Sequence, residues 1–356
     1  MTTRFTTSAT AVLVATCTAL SACSTDGDSA SSGDGAGTDQ VSVLLDWNPN
    51  PDHLAMYTAD HTGAYADHGV DPEFIVPGNT ADAAKEVSLG HADLAVSYET
   101  DTILAAAQGL DVVSVGALIP TPLNSLITKK SSGITTAKDL AGRKVAGSGV
   151  PSQEPSMRFI AEKAGIDPDS IEMPNVQQNL NQALLSDQVD AIFGAYPNIE
   201  GVELAEQTEI TVLSAGDLGL PDSAELVLIA NPTRLTQDAD YAQRVRGFLA
   251  GTADGQTTAL GDSATAVDAL TPQTEGAYDP ALLKKMVDAT VDILRRGGSG
   301  SGAAAGAASA DFGVQDPAAW SAYADWMRKN GLLDAAAGQD AGIDGASVTT
   351  NEYLPR

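Results

Sequence analysis

The chain of 356 residues is long enough for one large or two medium domains, and 43% hydrophobic residues can build real cores. A net charge of −28 argues against nucleic acid and against electrostatic binding to anionic membranes, both of which select positive surfaces. The two cysteines, Cys17 and Cys23, both precede residue 25, which removes disulfides, cysteine–zinc sites and thiol nucleophiles from the remaining chain.

The N-terminus reads as a targeting segment. Arg4 is the only charge before Asp26, and the apolar run Ala9–Leu20 is short for a bilayer span. Leu20-Ser21-Ala22-Cys23 has the pattern of a bacterial lipobox, so residues 1–22 are expected to be a signal peptide and Cys23 the lipidated residue. An ordinary signal peptide leaving a free cysteine is the alternative. Residues 23–40 are Ser, Gly, Asp and Ala-rich and read as a disordered tether.

From Val41 the chain alternates strands and helices, which implies an α/β fold with parallel sheet. Strands are expected at Val41–Asp46, Pro72–Val76, Asp93–Ser97 and Asp111–Ile119. Helices are expected after Asp52, which can cap the first, at Ala81–Leu89 behind Thr80, and at Thr102–Gln108. Leu123–Lys130 follows with no helix before it, a break that marks a crossing between two lobes. The alternation then restarts, with helices from Thr136, at Ser152–Ala164 and at Gln177–Ser186, and strands at Lys144–Gly147, near Ile171–Pro174 and at Val189–Gly194. Ala224–Ala230 reads as the return crossing, and helices follow at Ala239–Leu260, Pro280–Arg296 and Ala318–Asn330. Lobe 1 is therefore expected over 41–127 and 224–356, interrupted by a flexible Gly/Ala insertion at 297–308, and lobe 2 over 128–223. Two lobes joined by two crossings make a cleft, with hinge closure near Thr128 and Ala224 as the expected motion.

The polar stretch Asp46-Trp47-Asn48-Pro49-Asn50-Pro51-Asp52-His53 sits where the first strand hands over to a helix, which is where α/β proteins bind small ligands. Trp47 offers a flat face for stacking, or simply a core residue at a strand end. Asn48 and Asn50 carry donors and acceptors suited to a heterocycle, and they equally suit turn chemistry. His53 can point into the cleft or serve as a surface or capping residue. Tyr98 and Glu99 end the third strand on the same sheet edge. In the second half, Gly149–Glu154 opens a helix whose N-terminus could hold an anion, but Glu154 favours a neutral or cationic ligand there. Tyr196, Asn198 and Glu200 follow an apolar strand. No Walker motif, nucleophile elbow or metal spacing of His and acids occurs, so neither catalysis, a cofactor nor a metal is expected.

These residues resemble a family. The lipobox, the two α/β halves, and LDWNPNPDH after the first strand are similar to substrate-binding lipoproteins of ABC importers, in the NMT1/THI5-like branch. Asp46-Trp47, Pro49-Asn50 and His53 match that branch's opening pattern, Gly90-His91-Ala92-Asp93 its strand entry, and Thr350-Asn351-Glu352-Tyr353-Leu354 its C-terminal element. Thr136–Val145 matches an element common to the wider group, and Asp190–Tyr196 with Asn198 and Glu200 resembles the second-lobe ligand loop. The resemblance implies a type II periplasmic-binding-protein fold of two Rossmann-like lobes. It implies an extracytoplasmic monomer, anchored to the membrane only through Cys23, that passes a thiamine-related aminopyrimidine to a permease and its ATPase. Trp47, Asn48, Asn50, His53, Tyr98, Glu99, Tyr196, Asn198 and Glu200 would then line the site, with Glu200 accepting from the amino group. Related branches bind alkyl sulfonates, taurine, nitrate or riboflavin-like molecules, and some relatives make the pyrimidine enzymatically. These stand as alternatives, although the synthases' chemistry is associated with a cysteine- and histidine-rich motif and the chain has no cysteine after Cys23.

Overall fold

A computed structural model describes residues 39–78, 83–274, 276–296, 312–333 and 342–356. The signal segment, Cys23, Asn79 with Thr80, and the Gly/Ala run 297–308 lie outside the described residues.

Strand β1 (Asp39–Leu44) starts two residues before the expected point, so Asp39 and Gln40 belong to the sheet rather than the tether. The Trp47 loop leads into a 3-10 turn at Pro51–His53 and then α1 (Leu54–Thr62) and α2 (Ala64–Asp67). The cap is Asn50, not Asp52: the Asn50 side chain accepts the Asp52 N–H, and Pro51 takes the first helical position, where its missing N–H costs nothing. Next come β2 (Val70–Ile75), α3 (Ala83–Ser88), β3 (Leu94–Ser97), α4 (Glu99–Ala107) and β4 (Val113–Ile119). After β5 (Ser125–Lys129), the helix expected from Thr136 is only a 3-10 turn over Ala137–Leu140, with Gly142 in the left-handed region just beyond it. β6 (Val145–Ala146), α5 (Gln153–Ala164), α6 (Leu180–Leu185), β7 (Ala191–Ala195), α7 (Glu200–Ala205), β8 (Ile210–Ser214) and α8 (Ala215–Leu218) complete this part. The strand expected near Ile171–Pro174 is reduced to isolated bridges, Lys144 with Glu172 and Gly147 with Asn175. β9 (Leu226–Ala230) then precedes α9 (Pro232–Gln237), α10 (Ala239–Gly261), α11 (Ser263–Leu270), α12 (Pro280–Arg296) and α13 (Pro317–Lys329).

Two sheets result, in the orders β2-β1-β3-β9-β4 and β6-β7-β5-β8. They are mixed rather than parallel. β1 runs parallel to β2 and β3, but β9 is antiparallel to β3 and β4, and β5 is antiparallel to β7 and β8. The reason is topological. Strand–helix–strand units within one sheet give parallel neighbours, whereas β5 and β9 each arrive directly from the other sheet and run against the strands they join. The chain passes between sheets at 120–124 and 219–225. The boundary expected at 127/128 thus falls inside β5, all of which belongs to the second sheet.

Each sheet packs an apolar cluster on both faces, although alternate residues of the edge strand β2 are exposed. Strands such as β4 and β9 are wholly buried, as continuous apolar runs require. Against the first sheet, α1, α2, α10, α11 and α12 cover one face and α3, α4 and α13 the other. Contact between α1 and α10 is close enough that a Cβ at Gly255 would collide with the Ala55 carbonyl, so glycine is required there. That packing holds the start of α1, and with it the Trp47 loop, against the body.

Candidate ligand-binding cleft

Between the two sheets lies a cleft with about 920 Å³ of non-protein space. Its first wall is the end of β1 and of β3, which present Asp46, Trp47, Asn50 and Tyr98. Facing them are Gln153 at the start of α5 and Tyr196 and Glu200 beyond β7. Asn124 and Glu225 come from the two passages between sheets, and Tyr323 comes from α13.

Asp46 is held from two sides. His53 Nε2 lies 2.8 Å from Asp46 Oδ1, and the Tyr98 hydroxyl donates to Asp46 Oδ2 at 2.9 Å. His53 Nδ1 accepts the Asn50 backbone N–H at 3.3 Å, so that nitrogen carries a lone pair and the proton sits on Nε2, donated to Asp46. Burial pushes the Tyr98 hydroxyl well above its ordinary value, and the neighbouring Asp46 adds to this, so Tyr98 stays a donor.

Two glutamates face this wall. Glu200 Oε2 accepts the Tyr196 N–H at 2.8 Å, and burial pushes its carboxyl up to about 7. Glu225 joins the two passages: its Oε2 accepts the N–H groups of Leu123 and Asn124, each at 2.7 Å, and its Oε1 accepts the Tyr196 hydroxyl at 3.0 Å. Burial raises the Glu225 carboxyl as well, opposed by those backbone bonds. Gln153 is positioned by Ser148, whose N–H it accepts at 2.8 Å and whose hydroxyl it contacts at 2.9 Å. Gly194 lies so near that any Cβ there would displace the Gln153 amide, and its φ of 84° also suits only glycine.

Further carboxylates tie the two halves together. Asp101, in the first turn of α4, accepts both the Ser152 N–H at 3.0 Å and the Ser152 hydroxyl at 2.7 Å. Burial pushes Asp101 up to about 7. Asn198 Nδ2 donates to Asp52 Oδ1 at 2.6 Å and to Thr290 Oγ1 at 2.8 Å, and burial raises the Asp52 carboxyl well above its ordinary value. The N–H of Ala224 donates to Glu99 Oε2 at 2.7 Å, and burial pushes Glu99 up to about 7.

Of the residues expected to line the site, Trp47, Asn50, Tyr98, Tyr196 and Glu200 do so. His53 does not point into the cleft. It is fully buried behind Asp46, because a buried ring that accepts the Asn50 N–H and donates to a carboxylate is satisfied there. Asn48 is exposed and donates to Gln178 Oε1 at 2.9 Å across the outer edge of the cleft. Glu99 and Asn198 are buried in the contacts above rather than on the cleft surface. Glu154 is exposed at the foot of α5 and does not reach the ligand space. Asn124, Glu225 and Tyr323 are cleft residues that sequence reasoning passed over, and Asp46 and Gln153 are cleft residues inside stretches it flagged without assigning them to the site. Glu225 had a signal: a carboxylate opening an otherwise apolar strand must find partners inside. His61, His68 and His91 are exposed.

The family model described as NMT1/THI5 like matches residues 50–266, and the chain belongs to this family. A formylaminopyrimidine-binding protein of Halalkalibacterium halodurans is 27% identical over 316 residues, covering 88% of this chain and 91% of that protein. A 4-amino-5-hydroxymethyl-2-methylpyrimidine phosphate synthase of Legionella pneumophila is 30% identical over 220 residues, covering 61% of this chain and 68% of that one. Among solved structures, the alkanesulfonate-binding protein SsuA of Xanthomonas axonopodis pv. citri, bound to MOPS, superposes with a TM-score of 0.63 at 16% identity, covering 88% of this chain and 99% of that one. The architecture is thus the periplasmic-binding-protein fold that the sequence led us to expect.

Proposed function

We propose that this chain is a solute-binding protein that captures a small aminopyrimidine of the thiamine-precursor kind. It works outside the cytoplasm as a monomer, tethered through Cys23, and hands its ligand to an ABC permease and ATPase. One observation carries the ligand class: Asp46, Glu200 and Glu225 are on the cleft lining, and no Lys, Arg or His is among the lining residues. Such a cleft favours N–H donors and cations over anions. An aminopyrimidine supplies both, an exocyclic amine and a basic ring nitrogen. Glu200, whose carboxyl sits at about 7, can share a proton with that nitrogen, while Trp47, Tyr98 and Tyr196 offer flat faces for the ring.

The start of α5, a helix N-terminus that could hold an anion, is already served internally: the Ser152 N–H and hydroxyl both go to Asp101. A sulfonate or nitrate there would displace a carboxylate and face three more. Similarity to the formylaminopyrimidine-binding protein of Halalkalibacterium halodurans, 91% of whose length is matched, supports binding over synthesis. Among the described residues no helix is long and apolar enough to cross a membrane.

Calorimetry against formylamino- and hydroxymethyl-aminopyrimidines, thiamine, taurine, nitrate, an alkanesulfonate and riboflavin tests this reading. Micromolar or tighter binding confined to aminopyrimidines is expected, and Trp47→Ala should weaken it by about tenfold or more, in keeping with stacking and burial of one large aromatic. A response to sulfonate or nitrate alone overturns the ligand class. Turnover of a bound pyrimidine would replace capture with catalysis.

A further inference from the structure

The cleft has a neighbour. On its outer side runs a groove of about 1930 Å³ of space open to solvent, and three residues, Trp47, Leu180 and Glu200, line both the cleft and this groove and form the wall between them.

 Leu180, the first residue of α6, is 3% exposed and fills the wall between the Trp47 loop and Glu200 at the start of α7. Beyond the wall the groove carries Glu203 beside Glu200, together with Tyr278 and the other side of Trp47. Carboxylates and aromatic faces suit a cationic ring. The chemistry of the groove therefore welcomes what the wall keeps out.

We infer that Leu180 is a specificity-determining residue: it limits the ligand to a single ring, and it excludes pyrimidines extended by a second, cationic ring. This rests on the aminopyrimidine reading of the cleft. A two-ring ligand with its pyrimidine on Glu200 would have to pass its second ring through the Leu180 side chain to reach Glu203 and Tyr278. The outer edge is also bridged there by the Asn48 to Gln178 hydrogen bond, but that bond is exposed and easily exchanged for water, whereas the Leu180 side chain is packed on Ala183 and Leu184 of its own helix and cannot swing away cheaply.

The test compares hydroxymethyl-aminopyrimidine with thiamine, whose thiazolium supplies the second cationic ring, on the parent protein, Leu180→Ala and the milder Leu180→Val. The parent should prefer the single ring, and Leu180→Ala should narrow that preference by about tenfold or more, the range that removal of a few methyl groups from a pocket commands. Leu180→Val, which disturbs the core less, should move in the same direction by a smaller factor. An unchanged ratio in both variants, with single-ring binding retained, overturns the inference while leaving the ligand class standing. If the parent binds no aminopyrimidine, the ligand class fails, and the wall is read instead by acrylamide quenching of tryptophan fluorescence. Trp47 must then become more accessible in Leu180→Ala, and unchanged quenching overturns the wall.

Discussion

Asp101 allows a sharp test of how the two halves are joined. It has 8% of its surface exposed and accepts both hydrogen bonds of Ser152 across the cleft. Burial pushes its carboxyl from an ordinary 3.8 up to about 7, the Ser152 bonds opposing only part of that rise. The folded protein therefore binds a proton that the unfolded chain has released, over the window from about pH 4 to about pH 7. Stability from this group is fully present below that window, is lost as pH rises through it, and levels above about 7. A rise of about three units at 1.36 kcal/mol each sets a ceiling of about 4 kcal/mol, and relaxation with water entry should leave about 1–2 kcal/mol of it. Asp101→Asn removes the charge and keeps an oxygen for Ser152. In urea denaturation the variant should exceed the parent by about 1–2 kcal/mol near pH 8 and match it or fall slightly short near pH 5. Glu99 and Glu200 titrate in the same region, so a shallower slope remains in the variant. Parallel stability curves for parent and variant from about pH 5 to about pH 8 would refute the account of Asp101 as a buried group forced to ionise.

Two further substitutions probe the same contacts. Asn198→Ala deprives Asp52 of its 2.6 Å donor and should lower stability by about 2–3 kcal/mol in thermal or urea unfolding, with Asp52→Asn recovering part of the loss in the double variant; a loss below about 0.5 kcal/mol would mean the contact is not made in solution. Tyr323→Phe removes the hydroxyl that meets Thr100 Oγ1 at 2.9 Å, and should cost at most about 1 kcal/mol of stability while weakening the ligand by a few fold in calorimetry, because α13 would no longer fix that side of the cleft.

Much of the fold was legible because its strands are either alternating or continuously apolar, and its long helices carry clear caps. Pro280–Arg296 was read to the residue, since Pro280 opens it and Gly297 follows. What failed is equally local. α11 is parted from α10 by Asp262 alone, so the two read as helix followed by loop. β8 is a five-residue strand whose outward residues are half-buried, leaving a weak alternation. The direction of β5 and β9 was not legible, because antiparallel pairing there depends on which sheet the chain has just left. In the site, Trp47, Tyr98, Tyr196 and Glu200 were found because polar or aromatic residues directly after an apolar strand stand out. Asp101 was missed because an acid in the first turn of a helix already has an ordinary explanation in the helix dipole. His53 was misplaced for a related reason: a sequence cannot say that a histidine's partner, Asp46, lies seven residues back, just beyond the end of β1.

The cleft's carboxylates also explain why one fold can serve opposite ligand charges. Each is oriented by donors of the protein itself: Asp46 by His53 and Tyr98, Glu200 by the Tyr196 N–H, Glu225 by two backbone N–H groups and a tyrosine. A carboxylate offers about four lone-pair directions, and these contacts use one to three of them. What remains turned inward is a set of acceptors held rigid before any ligand arrives, in surroundings where burial resists ionisation. A ligand with N–H donors completes them and relieves the cost of their burial; an anion meets lone pairs with lone pairs. Converting the cleft to anion binding would therefore require more than a new cation. It would require freeing the Ser152 N–H from Asp101, and Asp101→Ser paired with Glu200→Gln is the smallest change that both empties the start of α5 and lowers the negative field facing it.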